Sequence, residues 1–460
     1  MDTIQIIFEY VLDLGASVFV PLIMIMVGVA VRMKWKDAIS AGIILGVAFA
    51  GMGIVIDFML DALTPAGQGL VERTGIELNV IDAGWTSLAT LAWAWPLAFL
   101  MFPLQMAVNA LLLAMNRTQT LNVDLWNVWG KILTAVLVIG VTNSVVLAFV
   151  VASIQMVAEL LIADVNQKHI EKITGIPGVT VSHGMMIFGV FLLPFNWLLS
   201  KIPLLDRHVD ANTLKDRLGI FAENHVMGFI IGGLLGIVAG YGVSEALTLA
   251  VQAAAALTLF PMVAKLFMQA LSPLSEAISD FMKKRFKNRK LHIGLDWPIL
   301  AGSNELWVAI IIWVPITLGY AVLLPGNNVL PFAGIINISL AAPALIITGG
   351  NLLRMILLGM ITTPVFLYVA TGFAPTITEL AQQTGAISID SGQMISWSTI
   401  EYPVFRYIFS QAGLITEGNF FGLLFVAAWV ALLALYLKTM KHRSTEEKAV
   451  EESEFKEKVM

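Results

Sequence analysis

The chain has 460 residues, of which 58% are hydrophobic and only 13% charged; mean hydropathy is +0.83. Soluble domains carry roughly 25% charged residues, so the composition excludes a soluble globular protein and indicates a polytopic membrane protein embedded in a lipid bilayer. The net charge of −5 offers no basic field for nucleic acid, and the absence of cysteine excludes disulfides, thiolate metal sites and a phosphocysteine on this chain.

The N-terminal MDTIQIIFEY lacks the basic region of a cleavable signal peptide and is acidic, which places it outside. Apolar runs at 15–31 and 39–60 flank RMKWKD (32–37), a basic loop assigned to the cytoplasm. The stretch 61–82 has one Arg and several acids and is expected outside. Runs at 88–115 and 131–162 enclose NVDLWNVW (122–129), which sets Asn122, Asp124 and Asn127 beside Trp126 and Trp129. The run 179–200 opens with VTVSHG, and the loop 201–217 carries Lys201, Arg207, Lys215 and Arg217 and is expected inside. Runs at 226–241 and 243–271 lead to MKKRFKNRK (282–290), whose six basic residues are the strongest cytoplasmic mark. Runs at 298–324, 329–348, 353–373 and 418–437 complete eleven apolar segments, most of them near the roughly 20 residues that a membrane-spanning helix needs. Gly and Pro interrupt several, as in re-entrant segments. The polar tail from Lys438 is expected to be disordered and cytoplasmic. An odd number of crossings agrees with the N-terminus outside and the C-terminus inside.

The sequence repeats itself. MLDALTP (59–65) matches FMQALSP (267–273). Trp85, Trp95, Pro103 and Asn116 match Trp297, Trp307, Pro315 and Asn328 at a constant offset of 212. We expect two homologous halves, 1–217 and 218–437, followed by the tail 438–460. The basic loop 32–37 corresponds to 241–244, which has no Lys or Arg, and the acidic 61–82 corresponds to the basic 282–290. The halves are therefore expected to be inverted, a pattern of secondary-transporter folds whose substrate binds near the bilayer midplane.

Polar residues at membrane depth are costly and mark cavities or partners. Four clusters stand out: Thr86 and Ser87 in GWTSLATLAWAW (84–95), Asp124, Trp126 and Asn127 in NVDLWNVW, Ser182 and His183 in VTVSHG, and Asp296, Ser303, Asn304 and Glu305 in LDWPILAGSNELW (295–307). Amides, hydroxyls, carboxylates and an imidazole beside indoles suit a polyol or sugar, which needs many neutral hydrogen-bond partners and an aromatic wall. No GxxxxGK[ST] phosphate loop and no HExxH motif occurs, so neither ATP hydrolysis, a metal nor a cofactor is expected. Ser182 and His183 are adjacent, which is the wrong spacing for a nucleophile and its base.

NVDLWNVW, GNNVLPF (326–332), HIGLD (292–296), SHG (182–184) and GGNLLR (349–354) resemble the galactitol-type enzyme IIC, the permease of the phosphoenolpyruvate-dependent sugar phosphotransferase system, which shares a superfamily with the ascorbate permeases. The resemblance spans about 430 residues. It implies an all-α homodimer in the bacterial inner membrane, each protomer with a scaffold domain and a mobile core domain that contains two re-entrant hairpins, working by elevator-type movement. It implies that Thr86, Ser87, Asp124, Trp126, Asn127, His183, Ser303, Asn304 and Glu305 line the substrate site. It also implies separate cytoplasmic IIA and IIB subunits as partners, IIB supplying the phosphate from a cysteine that this chain lacks; the run 282–290, first of all a topology anchor, is also a candidate contact for them. The chain departs from the family pattern at Gly130, Ser182 and Glu305, so another hexitol or a pentitol such as arabitol or ribitol stays open beside galactitol. The rival reading is a proton-coupled polyol symporter working through Asp124, Glu305 and His183.

Overall fold

The computed structural model describes residues 16–30, 32–74, 78, 80–122, 124, 127–206, 211, 224–285, 291–331, 334–384, 394–414 and 420–459. In the first part of the chain the elements are α1 (Ala16–Ala30), α2 (Trp35–Thr74), β1 (Val80–Asp82), α3 (Gly84–Ala94), α4 (Met101–Ala114), β2 (Thr120–Asn122), α5 (Val128–Thr142), α6 (Val145–Thr174), β3 (Val179–Val181) and α7 (Phe188–Ser200). The second part has α8 (Asn224–Ala239), α9 (Val243–Arg285), β4 (His292–Leu295), α10 (Asn304–Leu323), β5 (Val329–Leu330), α11 (Ile338–Thr348), α12 (Leu352–Thr384), β6 (Met394–Ser396), α13 (Pro403–Ala412) and α14 (Phe421–Val459).

The protein is mostly helical. Among the described residues, four helical stretches are long and apolar enough to cross a membrane: Val145–Thr174, Asn304–Leu323, Leu352–Gln383 and Gly422–Thr445. The runs 39–60 and 243–271 lie within the long helices α2 and α9, and several others fold as shorter or broken helices, for local reasons. The run 88–115 divides between α3 and α4 because Trp95 precedes Pro96 and takes an extended backbone (ψ 128°), as steric conflict with the proline ring demands. The run 131–162 divides at Asn143, which ends α5 in the left-handed region (φ 53°), and Ser144 then caps α6 through the Leu147 amide. The helix α2 runs on to Thr74 through part of the stretch expected as an outside loop. The tail is helical to Val459 rather than disordered. It is rich in Glu and Lys, which favour helix, and Arg443 donates to the carbonyl of Ile347 at 3.1 Å.

The all-α expectation needs one correction. Six short strands occur among the described residues and form two three-stranded parallel sheets, ordered β5-β1-β6 and β2-β4-β3. Each sheet takes its central strand from one part of the chain and both edges from the other. In the second sheet Asn122 pairs with Gly294, and Thr180 with the same Gly294. In the first, Ile81 lies between Leu330 and Ile395. The pairing satisfies backbone groups of non-helical chain packed inside the protein, the condition under which such chain is tolerated at membrane depth. Gly294 must be glycine, because a Cβ there would collide with the side chains of Ser182 and Thr120.

The core lies around α5, in which every residue from Val128 to Val138 is buried. A helix buried on all sides is normally apolar throughout, yet this one carries Lys131.

Candidate polyol site

The three strands of the second sheet are parallel, so their C-terminal ends lie at one edge. Just beyond those ends come Asp124, His183 and Asp296, and one ligand atom from each lies within 4.8 Å of the others. Asp124 and His183 are buried.

Each group is held by its neighbours. Gln105 and Asn109 of α4 donate to the carbonyls of Asp124 (3.2 Å) and Thr120 (2.8 Å), which fixes the loop after β2. The Asp124 carboxylate accepts from the Asn127 amide nitrogen Nδ2 (2.7 Å) and from the Asn127 backbone (3.2 Å). Asn127 in turn accepts from the indole of Trp129 at 3.1 Å. The Trp129 ring lies 6.3 Å from that of Trp85 and 6.0 Å from that of Trp397, so three indoles stand side by side. Asp296 accepts from the Trp297 backbone at 2.6 Å.

His183 has a defined tautomer. Its Nδ1 accepts the Met185 backbone N–H at 3.1 Å, so the neutral ring carries its proton on Nε2. That Nε2–H faces Asp296 Oδ1 and Glu401 Oε1, each at 3.7 Å. The separation exceeds hydrogen-bond length, about 2.9 Å. The geometry suits a hydroxyl that receives from Nε2 and donates to a carboxylate. It suits a metal ion poorly, because a metal on Nε2 requires the proton on Nδ1, where an N–H already points.

Behind this cluster lies a network of charges. Lys131 pairs with Glu159 at 2.8 Å, both 1% exposed, and donates to the carbonyl of Asn127 at 3.3 Å. Gln155 donates to Glu159 and to the Tyr402 hydroxyl, both at 2.8 Å. Tyr402 donates to the carbonyl of Gly130 at 3.0 Å. Arg406 donates to Gly130 O (2.9 Å), Tyr402 Oη (2.6 Å) and Thr134 Oγ1 (3.1 Å).

The equivalent edge of the other sheet is closed. There Asp82 accepts from the backbones of Gly84 (3.1 Å), Gly334 (2.9 Å) and Ser398 (3.1 Å) and from the Ser398 hydroxyl. Its carboxylate is saturated by donors of the fold and ties β1 to the loops after β5 and β6.

Of the residues expected from sequence, the structure brings together Asp124, Asn127 and His183. It adds Asp296, already noted in the LDW segment. Ser303 donates to Glu305 at 2.5 Å, and the other Glu305 oxygen accepts the Ala211 amide at 3.2 Å, so these residues are engaged with one another at the start of α10, where Asn304 is the first residue. Ser87 is half-buried in α3. Trp126, the side chain of Thr86 and most of the basic 282–290 run lie outside the described residues. Sequence reasoning missed Lys131, Glu159, Glu401, Tyr402 and Arg406. A signal existed for the first two, which are charges within the apolar run 131–162. None existed for the others, which lie in and just before α13, a ten-residue helix too short and too mixed to register as an apolar run.

The family model described as "PTS system sugar-specific permease component" matches residues 10–392. A permease IIC component of Escherichia coli (strain K12) is 33% identical over 411 residues, covering 86% of this chain and 93% of its own length. The protein named "PTS system galactitol-specific EIIC component" in Escherichia coli (strain K12) is 31% identical over 404 residues, covering 85% of this chain and 90% of its own; the protein of the same name in Escherichia coli O157:H7 matches equally.

Proposed function

The chain belongs to the sugar-specific permease family of the phosphotransferase system, and on that premise we propose that it binds a polyol, galactitol foremost, and carries it across the membrane for phosphorylation by a IIB subunit. The observation that carries the reading is the arrangement of buried His183 Nε2–H and Asp124–Asn127 with part-buried Asp296 at the ends of three parallel strands. It offers donors and acceptors to hydroxyls beside an indole held by Asn127. The choice of galactitol rests on the names of two relatives at 31% identity. Family membership implies cooperation with IIA and IIB subunits, and the lack of cysteine agrees with a phosphate donor on another subunit.

Finer points belong to the same proposal. The exchange of strands between the two parts of the chain supports two inverted repeats that meet at the site. The break at Trp95–Pro96 supports a re-entrant hairpin at 84–95. The distribution of Lys and Arg supports a bacterial inner-membrane protein with its N-terminus outside and C-terminus cytoplasmic. Homodimerisation and elevator movement are what the family resemblance implies. Thr86, Ser87, Ser303, Asn304 and Glu305 complete the proposed lining as the substrate moves.

The reading is tested by labelled galactitol uptake into vesicles that contain the protein, with and without phosphorylated IIA and IIB. Galactitol phosphate formed only in their presence supports it. Free galactitol accumulating without them, and abolished by an uncoupler, contradicts it.

A further inference from the structure

The geometry points to Glu401 as a hydroxyl-binding carboxylate that completes the polyol site and selects among polyol isomers. The inference rests on the polyol reading above. It names a residue that lies 105 positions beyond Asp296 and outside every apolar run.

Glu401 is 5% exposed. Its Oε2 accepts no hydrogen bond from the protein, and its Oε1 lies 3.7 Å from His183 Nε2. Asp296 Oδ1 lies at the same 3.7 Å from that nitrogen. The imidazole therefore presents its one proton to two carboxylates and hydrogen-bonds neither. A buried carboxylate oxygen without a donor costs roughly 1–3 kcal/mol or more, so a fold that holds one in place is shaped for a donor from outside the protein. A hydroxyl between His183 and Glu401 accepts from Nε2 and donates to Oε1; the hydroxyl on the next carbon reaches Oε2. A carboxylate facing two adjacent hydroxyls is sensitive to their relative configuration, and configuration is what separates hexitol and pentitol isomers.

No hydrogen bond ties Glu401 Oε2 to the cation beside it, and Arg406 Nη1, like that oxygen, is buried without a partner, so both face the same place with capacity to spare. Arg406, the nearby cation on α13, directs its hydrogen bonds to Gly130 O, Tyr402 Oη and Thr134 Oγ1. Lys131 is taken by Glu159. The orientation of Glu401 is fixed by its neighbour: Tyr402 adopts a left-handed backbone (φ 38°, ψ 56°), costly for a bulky residue and found where surrounding structure enforces it. The Tyr402 hydroxyl, bonded to Gly130 O, Gln155 and Arg406, does the enforcing. Gly130 keeps the approach open. A Cβ there would stand 3.6 Å from Glu401 Oε2 and 3.2 Å from Tyr402 Oη.

The test is a binding titration of the purified full chain, as wild type, Glu401→Gln and Gly130→Ala, against galactitol, ribitol, arabitol and a series of monodeoxygalactitols. Glu401→Gln is expected to weaken galactitol about 10- to 100-fold, the worth of a hydrogen bond to a charged group. The deoxy analogue that lacks the partnered hydroxyl should bind wild type and variant equally, while the other analogues keep the full ratio. Gly130→Ala, whose Cβ would stand 3.6 Å from Glu401 Oε2 and press on Tyr402 Oη at 3.2 Å, should weaken galactitol when titrated well below the variant's own melting temperature, and it serves if Glu401→Gln does not fold. Equal affinity of Glu401→Gln and wild type, or one common loss across every analogue, overturns the inference and leaves Glu401 a packing residue. Failure of the wild type to bind any polyol is a different result, which overturns the polyol reading itself.

Discussion

His183 shows how a single backbone contact decides side-chain chemistry. Because the Met185 amide occupies Nδ1, Nε2 is a fixed donor aimed between two carboxylates. His183→Leu removes that donor and leaves the Met185 N–H uncapped, so it should lower galactitol affinity about 10- to 100-fold and cost about 1 kcal/mol of stability; a titration with wild-type affinity would remove His183 from the site. Lys131 and Glu159 have the opposite character. Both are almost fully buried and paired at 2.8 Å, so Lys131→Met strands a carboxylate in the core and should cost about 3–5 kcal/mol. The double substitution Lys131→Met with Glu159→Leu should recover most of that loss, as read from thermal unfolding in detergent. At this scale the sequence was informative where polar residues interrupt apolar runs, as at Asp124, Asn127 and His183. It was silent on Glu401, whose significance comes from what stands opposite it in space and not from its neighbours in the chain.

The elements tell a similar story. The apolar runs were legible because hydropathy is summed over many residues, and most runs correspond to helices. Their interruptions were not, because one residue decides each: the extended Trp95 before Pro96 and the left-handed Asn143 before the Ser144 cap. The strands were hidden because they span two to four residues, too few for alternation to register. Gly294 is where strand and site meet. Gly294→Ala should force β4 away from Ser182 and Thr120, displace Asp296 and reduce uptake at least about tenfold, beyond the cost of the substitution elsewhere. Gly319, with no atom within 4 Å of a built Cβ, is the control: Gly319→Ala in α10 should leave uptake unchanged and raise stability by up to about 1 kcal/mol. Equal behaviour of the two variants would argue against a sheet that positions the site.

At the scale of the whole molecule, two sheets stand in equivalent topological places and have different fates. Asp82 is saturated by donors of the fold, while Asp296 faces an imidazole that it does not bond. Both sheets join the two parts of the chain, but only the second has at its edge the groups proposed to bind the polyol. The proposed inversion predicts a labelling pattern, and the absence of native cysteine makes it clean to read. Lys36→Cys and Ser244→Cys are both at exposed positions. The first should react with a membrane-impermeant thiol reagent only in inside-out vesicles, the second only in right-side-out vesicles. Labelling of both from one side would contradict inverted halves. Group translocation of a polyol is read most directly from the chemical form of labelled galactitol recovered from vesicles supplied with phosphorylated IIA and IIB. Galactitol phosphate is expected, dependent on both partners and lost in Asp296→Asn. Free galactitol accumulated to the same level without them would contradict group translocation.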